Sequence, residues 1–201
     1  RPPGSFAGRT YSVAMSPDSI DVAGQLGTQI MLFMQEPLEV KLPEIQRYRD
    51  IYTTTHGRAA PPVLCNDFII CDDSAERAEL MARQYMAAYF LTAARHYEMT
   101  GDHFSGTKGY AAYGSASKML KELGLDKVAD AFVDLQIWGT PQQILDKAAH
   151  RRSIIGDFEL NGCFSFTGMP YDYVEDSMKL YGSKCIPEFH SWGEPKLRAA
   201  S

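Results

Sequence analysis

Short apolar runs of strand length alternate with segments of helical spacing through most of the chain, and this alternation restricts the fold more than any other feature. The first strand and helix lie within Ser12–Gly27, and the next three strands are Gln29–Met34, Val63–Cys71 and Glu159–Thr167. Strands that are separated by helices pair in parallel through right-handed crossovers. The sequence therefore predicts an α/β fold of about four parallel βα units. Four units make half of a TIM barrel or a small open sheet, and the pattern leaves both open.

Capping residues indicate where several helices begin and end. Gly57 is placed to end the second helix, and a capping box at Asp73 opens a long helix that reaches about Met99. Thr140 is a suitable cap for a further helix that has Pro141 in its first position. These local signals predict helix boundaries independently of the apolar periodicity.

Two polar residues, Asn66 and Asp67, lie inside the apolar strand Val63–Cys71. A buried polar side chain requires a hydrogen-bond partner. We expect at least one of the two to face a cavity, such as a barrel interior, or to be a structural residue with a satisfied partner.

The turn Ser16-Pro17-Asp18-Ser19 carries the most chemistry in the first unit. Ser16 is a suitable N-cap, and Pro17 fits the first helical position, where its missing N–H costs nothing. Unpaired N–H groups at a helix start lie at the positive end of the helix dipole, and the hydroxyls of Ser16 and Ser19 would add to them as phosphate ligands. The turn is consistent with an ordinary capped helix or with an anion site.

Residues 101–124 differ in character from their surroundings, with five glycines, two tyrosines and little periodicity before position 117. Such a stretch is either a surface excursion or a lid over a site. As a lid, it would bring four side chains to a substrate: His103, Lys108, Tyr110 and Tyr113.

The composition excludes several classes of protein. Hydrophobic residues make up 45% of the chain and charged residues 22%, the net charge is −5, and the pI is near 5.5, which argues for a globular protein and against a nucleic-acid binder. No apolar run approaches membrane-spanning length and the start lacks a signal-peptide pattern, so we expect a cytoplasmic protein with no membrane partner. The chain starts at Arg1 without a Met, which makes a cleaved or partial chain one interpretation.

The four cysteines, Cys65, Cys71, Cys163 and Cys185, form no CxxC pair and have no histidine at zinc-finger spacing. We therefore expect reduced, mostly buried thiols and no metal site. The sequence also lacks a GxGxxG loop after a strand and a Walker loop, so the ordinary nucleotide-binding motifs are missing.

Three stretches in this order carry a family resemblance: TYSVAMSPDSIDVAGQLG, WGTPQQILDKAAHRR and GCFSFTGMPYDYVEDSMKLYGSKCIPEF. They resemble the C-terminal half of the bacterial luciferase-like flavin monooxygenases, and the match spans nearly the whole chain. The resemblance implies a TIM barrel with FMN at the C-terminal ends of its strands. Residues 1–201 would then form a single partial domain that holds the last four βα units, and 101–124 would be a lid insertion.

The resemblance also implies binding residues. In the family, an acidic residue and a serine after the fifth strand bind the FMN phosphate, and these correspond here to Asp18 and Ser19, with Ser16 adjacent. Aspartate stands where the luciferase has glutamate. The family's phosphate-binding arginine and its catalytic histidine belong to the N-terminal half, so the catalytic residues are expected outside this chain.

Three residues at strand ends, Met15, Met34 and Phe166, are expected either near the isoalloxazine ring or in simple core packing. The implied reaction is oxygenation of a small organic substrate by dioxygen and reduced FMN, with the reduced flavin supplied by a separate NAD(P)H-dependent reductase. The chain alone is expected to have little or no activity.

Two other interpretations stay open. The first is a noncatalytic flavin-binding or structural half barrel that associates with itself, as a homo-oligomer, or with a complementary N-terminal half, because unpaired sheet edges recruit partners. The second is an oxidoreductase that uses the deazaflavin F420, which shares the broader fold.

Overall fold

Five parallel strands form the sheet in the part of the chain that the computed structural model describes, namely residues 6, 8–101, 117, 118 and 120–193. They are β1 (Tyr11–Val13), β2 (Gln29–Phe33), β3 (Val63–Cys71), β4 (Ile137–Gly139) and β5 (Phe158–Cys163). Four strands lie abreast in the order β1-β2-β3-β5, and β4 pairs with the C-terminal end of β3. Each of these pairings is parallel, so the predicted α/β fold is confirmed.

Gln136 joins β2 to β3 immediately before β4 begins. Its Nε2 donates to the carbonyl oxygen of Met34 at 2.7 Å, and its Oε1 accepts from the backbone N–H of Phe68 at 3.1 Å. β4 therefore follows β2 along the same edge of β3. The sequence pattern did not predict β4, because three residues are too few to show a periodicity.

Helices connect the strands, as predicted. They are α1 (Pro17–Leu26), α2 (Leu38–His56), α3 (Ala75–Met81), α4 (Ala87–His96), α5 (Leu125–Leu135), α6 (Pro141–Ile155), α7 (Tyr171–Lys184) and α8 (Ile186–Ser191). A π-helical turn joins α3 to α4, so the long helix predicted after β3 is present with one wide turn inside it. Its cap is Ser74, whose Oγ accepts from the Arg77 N–H at 3.1 Å, and the prediction of Asp73 was wrong.

β5 ends at Cys163, earlier than the predicted end at Thr167. Thr167 and Gly168 have φ angles of +52° and +72°, and the Met169 N–H donates to the Phe166 carbonyl at 3.2 Å. This left-handed turn reverses the chain, which an extended strand cannot do. The apolar side chains after position 163 belong to a turn that packs on the core.

Helices α1 and α2 cover one face of the sheet, where Ile30, Val63 and Cys65 are buried. The opposite face is concave. The Tyr11 hydroxyl of β1 donates to the Glu159 carboxylate of β5 at 3.3 Å, although β2 and β3 lie between these strands. Side chains from the two outer strands meet only if the sheet curves, so the sheet has the form of part of a barrel wall.

All four cysteines are free, as predicted, and they are buried except for Cys163, which is exposed. Within the described ranges, no helix combines the length and apolar character needed to cross a membrane.

Candidate functional site

The C-terminal ends of the parallel strands meet at one edge of the sheet, which is where ligands bind in α/β folds. The turns at this edge begin after Val13, Phe33, Cys71, Gly139 and Cys163. The predicted binding residues in the described part of the chain lie in or next to these turns. The four lid candidates, His103, Lys108, Tyr110 and Tyr113, lie outside the described residues.

Ser16 and Ser19 hold the start of α1 in a capping box. The Ser16 Oγ accepts from the Ser19 N–H at 3.3 Å, and the Ser19 Oγ accepts from the Ser16 N–H at 3.0 Å. The Ser19 hydroxyl also lies 2.8 Å from the Ser16 carbonyl and 3.0 Å from the Ser16 hydroxyl. The predicted cap, with Pro17 in the first position, is confirmed. Phosphate binding at this turn stays a prediction.

Asp18 is exposed on the first turn of α1, and its charge acts on Arg47 of α2. Arg47 itself forms a bidentate ion pair with Asp21, with two N–O distances of 2.5 Å. Hydrogen bonding by Arg47 lowers the pKa of Asp21. The Arg47 guanidinium is therefore already paired with the Asp21 carboxylate, which lies one turn beyond the start of α1.

Met15 and Met34 lie in the apolar cluster beneath α1 and α2, whereas Phe166 lies in a second cluster. The Met15 sulfur is 3.4 Å from the Phe33 nitrogen, and the Phe166 ring is 4.7 Å from the Phe68 ring. The structure thus brings the two methionines together and places Phe166 apart from them. Met34 and Phe166 are buried, which favours core packing in the described chain, and isoalloxazine contact stays a prediction.

Asp72, directly after β3, is the centre of a polar network that the sequence analysis missed. Its buried carboxylate accepts from the Arg77 Nε at 2.6 Å, from the Ser74 N–H at 2.8 Å and from the Tyr173 hydroxyl at 3.0 Å. Burial acts to raise the pKa of Asp72, but these hydrogen bonds together lower it. The carboxylate is therefore ionised at the C-terminal edge of the sheet. The sequence signal for this carboxylate was an acidic pair directly after an apolar strand, because residues in that position lie at the C-terminal edge of a parallel sheet.

Asp67 points to the helix-covered side of β3 and pairs with Arg151 of α6. The two guanidinium nitrogens donate to the carboxylate oxygens at 2.5 and 2.6 Å, and Arg151 also donates to the Leu135 carbonyl at 2.7 Å. Both side chains are buried. The prediction that Asn66 or Asp67 has a hydrogen-bonding partner is confirmed, and this pair ties β3 to α6 away from the strand ends.

Asn66 lies on the concave side of β3. Its Oδ1 accepts from the Asn161 Nδ2 of β5 at 2.6 Å. Its own Nδ2 is buried and has no hydrogen-bond partner among the described residues. The concave face therefore carries one unused amide donor.

Lys147 of α6 and Trp138 of β4 form a cation–π contact behind the strand ends. The Lys147 Nζ lies 4.1 Å from the centre of the indole ring and donates to the Trp138 carbonyl at 3.1 Å. Burial lowers the pKa of Lys147 to about 8. The Arg83 guanidinium lies 5.7 Å from the same ring, so Trp138 contacts two cations.

Three of the solved structures with a similar fold are enzymes of about twice the length of this chain. Monooxygenase RslO1 from Streptomyces bottropensis has 17% identity and a TM-score of 0.60, with 88% of this chain and 46% of that chain covered. The oxygenating constituent of 3,6-diketocamphane monooxygenase from Pseudomonas putida, solved with FMN, has 14% identity and a TM-score of 0.54, with 89% and 47% covered.

The coenzyme F420 dependent tetrahydromethanopterin reductase from Methanopyrus kandleri has 16% identity and a TM-score of 0.54, with 89% of this chain and 50% of that chain covered. At these identities the likeness concerns the fold. The chain spans about half the length of these structures.

No curated protein matches the sequence. A sequence profile of the luciferase-like monooxygenases matches residues 1–157, which is more than half of the chain. The protein therefore belongs to the luciferase-like monooxygenase family.

Proposed function

We propose that this chain supplies the C-terminal half of an FMN-dependent monooxygenase that oxygenates a small organic substrate with dioxygen. The observation that carries the proposal is the capped start of α1, which lies at the C-terminal end of β1 in a member of this family. Reduced flavin would come from a separate reductase. The chain alone is expected to have little or no activity, since its catalytic partners are assigned to the other half of the barrel.

The start of α1 fits one side of a phosphate site. The positive end of the helix dipole and the hydroxyls of Ser16 and Ser19 converge there. The two hydroxyl oxygens are 3.0 Å apart. The Ser19 hydroxyl donates to the Ser16 carbonyl at 2.8 Å, so it would turn its proton toward a bound phosphate oxygen while its oxygen still accepts from the Ser16 N–H. Asp18, the exposed acid beside them, would flank the same group.

Bound reduced flavin would supply the electrons that activate dioxygen. The role of this chain is to hold the cofactor, to orient it and to exclude water from one side of the site. Ser16, Asp18 and Ser19 would hold the phosphate, and the strand-end side chains of Met15, Met34 and Phe166 would lie toward the ring.

Fluorescence titration of the chain with FMN and, in parallel, with riboflavin tests the phosphate assignment. Ser19→Ala should weaken FMN binding about tenfold, because it removes a hydrogen bond to a charged group. Binding of riboflavin, which lacks the phosphate, should not change. Ser183→Ala on α7, a serine at an exposed helical position, is the matched control.

Asp18→Ala tests the effect of the acid on FMN binding. Binding of FMN should strengthen, because the carboxylate and the phosphate are both negatively charged hydrogen-bond acceptors, whereas the backbone N–H of residue 18, which can donate to the phosphate, persists in the variant. Equal effects on FMN and riboflavin, or no effect of Ser19→Ala on FMN, would show that the phosphate lies elsewhere.

A second candidate is an oxidoreductase that uses F420, favoured by the similarity to an F420-dependent reductase. The absorption spectrum of the cofactor that copurifies with the protein separates this candidate from an FMN enzyme. A third is a noncatalytic half barrel that pairs with itself or with a complementary chain, and the absence of any bound flavin at saturating FMN would favour it.

A further inference from the structure

Two buried cysteines meet between the sheet and the helix layer. Cys71 is the last residue of β3, and Cys185 lies between the end of α7 and the start of α8. The two residues are 2% and 0% exposed, and they share one apolar cluster with Ile69, Ile144 and Tyr181. Neither thiol takes part in the proposed flavin site, so their proximity calls for a separate explanation.

Backbone contacts hold both cysteines against the same two segments. Cys71 is in register with Gly139 of β4, and its N–H donates to the Ser177 Oγ of α7 at 2.8 Å. Cys185 directly follows α7, and its Sγ lies 3.9 Å from the carbonyl oxygen of Pro141, two residues after Gly139. The turn after β4 and helix α7 therefore fix the positions of both residues, although the two are distant in sequence.

The two thiols also hydrogen-bond each other. This hydrogen bond raises the pKa of Cys71 and, against the opposing effect of burial, lowers the pKa of Cys185. The Cys71 thiol is therefore the donor, and the Cys185 sulfur is the acceptor that more readily becomes a thiolate. Thiolates react with peroxides, and a second thiol in contact converts the first product to a disulfide.

Surface grooves reach both sides of Cys185. One groove, of about 790 Å³, is lined in part by Pro141 and Lys184, and the other, of about 660 Å³, is lined in part by Tyr181 and Ile186. The residues that directly precede and follow Cys185 thus each line a groove. A small oxidant needs only a local motion of the chain beside α8 to reach the sulfur.

We propose that Cys71 and Cys185 are a redox-active pair that hydroperoxides oxidise to a disulfide. The Cys185 thiolate attacks one oxygen of hydrogen peroxide, the O–O bond breaks, and the other oxygen leaves as hydroxide, which takes up the proton that Cys185 released and becomes water. The Cys71 sulfur then attacks the sulfur of the resulting sulfenic acid, so an S–S bond forms and the S–O bond breaks. The second water leaves with the Cys71 proton. In total the two thiols lose two electrons, and the peroxide is reduced to two waters.

The disulfide would join the end of β3 to the junction of α7 and α8. Asp72, the residue after Cys71, already accepts from the Tyr173 hydroxyl of α7 at 3.0 Å. Oxidation would therefore add a covalent link between two elements that the polar network at the strand ends connects by hydrogen bonds. The pair lies in the helix layer, so the inference depends neither on bound flavin nor on what lies opposite the concave face.

Thiol titration after treatment with a small excess of hydrogen peroxide, without flavin, tests the inference. Cys163→Ser removes the exposed cysteine and leaves three thiols in each chain. Peroxide should lower the number that reacts after denaturation from three to one, and dithiothreitol should restore three. Cys65→Ala in this background is the matched control, because Cys65 is also a buried strand cysteine, with a pKa that burial raises to about 12, and the variant should still lose two thiols. With Cys185→Ala instead, the remaining thiols should persist.

Mass spectrometry of unreduced peptides identifies the product directly. The peptide that contains Cys71 should be joined to the peptide that contains Cys185. This measurement uses only the Cys163→Ser chain, so it decides the inference even if a buried-cysteine variant does not fold. Three persisting thiols, a disulfide to Cys65, or sulfinic acid without a disulfide would each overturn it. The same holds for a disulfide that forms only with loss of the helical circular dichroism signal.

Discussion

Replacement of Arg151 by methionine is expected to lower the free energy of unfolding by about 3–5 kcal/mol at neutral pH. Arg151 donates to both carboxylate oxygens of Asp67, at 2.5 and 2.6 Å, and both residues are buried. Methionine keeps an apolar chain in the same space. The penalty arises because the Asp67 carboxyl group, without its partner, must either stay charged in the core or take up a proton that the unfolded state does not bind at neutral pH.

The same substitution should make stability fall with rising pH. Burial raises the pKa of Asp67, and the charge and hydrogen bonds of Arg151 are the main opposing effects. Without Arg151, the folded state retains a proton that the unfolded state releases above its pKa of about 3.9. The variant should therefore be more stable near pH 5 than near pH 8.

Urea denaturation followed by circular dichroism at both pH values measures these effects. Lys179→Met is the control, because the pair of Lys179 with Glu175 is exposed and its loss should change stability little. The double variant Asp67→Leu, Arg151→Met should recover much of the loss, since it removes the unpaired charge. A loss for Arg151→Met below about 1 kcal/mol, or no change between the two pH values, would refute the assigned role of the pair.

Two further predictions concern the strand ends. Gln136→Leu should lower the free energy of unfolding, measured by urea denaturation, by about 2–4 kcal/mol, because the Phe68 N–H and the Met34 carbonyl lose their buried partner. A loss no larger than that of the exposed control Gln142→Leu would contradict this. Burial lowers the pKa of Lys147 from 10.5 to about 8. Between pH 8 and pH 10.5, the unfolded state therefore binds a proton that the folded state does not, so the contribution of Lys147 to stability should rise with pH in this range. Lys147→Met should remove that rise, and equal slopes of stability against pH in wild type and variant would disprove it.

Several helix boundaries and the fold class could be predicted from local sequence. Ser16 and Thr140, each followed by a proline, cap α1 and α6, and Gly57 ends α2 with a φ of +65°. Caps, stops and apolar periodicity depend on residues within about one or two helical turns. The alternation of strands and helices then required a parallel sheet.

The partners of the buried polar groups could not be predicted in the same way. Asp67 and Arg151 are 84 residues apart, Asp72 and Tyr173 are 101 apart, and Gln136 reaches Met34 over 102 residues. Each pair depends on how α6, α7 or β4 packs against β3. For the same reason, the strand prediction contained Asn66 and Asp67 but could not say which of them faces the core.

The candidate phosphate-binding turn depends partly on local sequence and partly on tertiary structure. Its cap follows from four consecutive residues, because the capping hydrogen bonds are local. Its position at the C-terminal edge of a curved sheet follows only from the pairing of distant strands. Side chains that meet across a barrel come from opposite walls, so the proposed site would be completed by residues of the opposite wall.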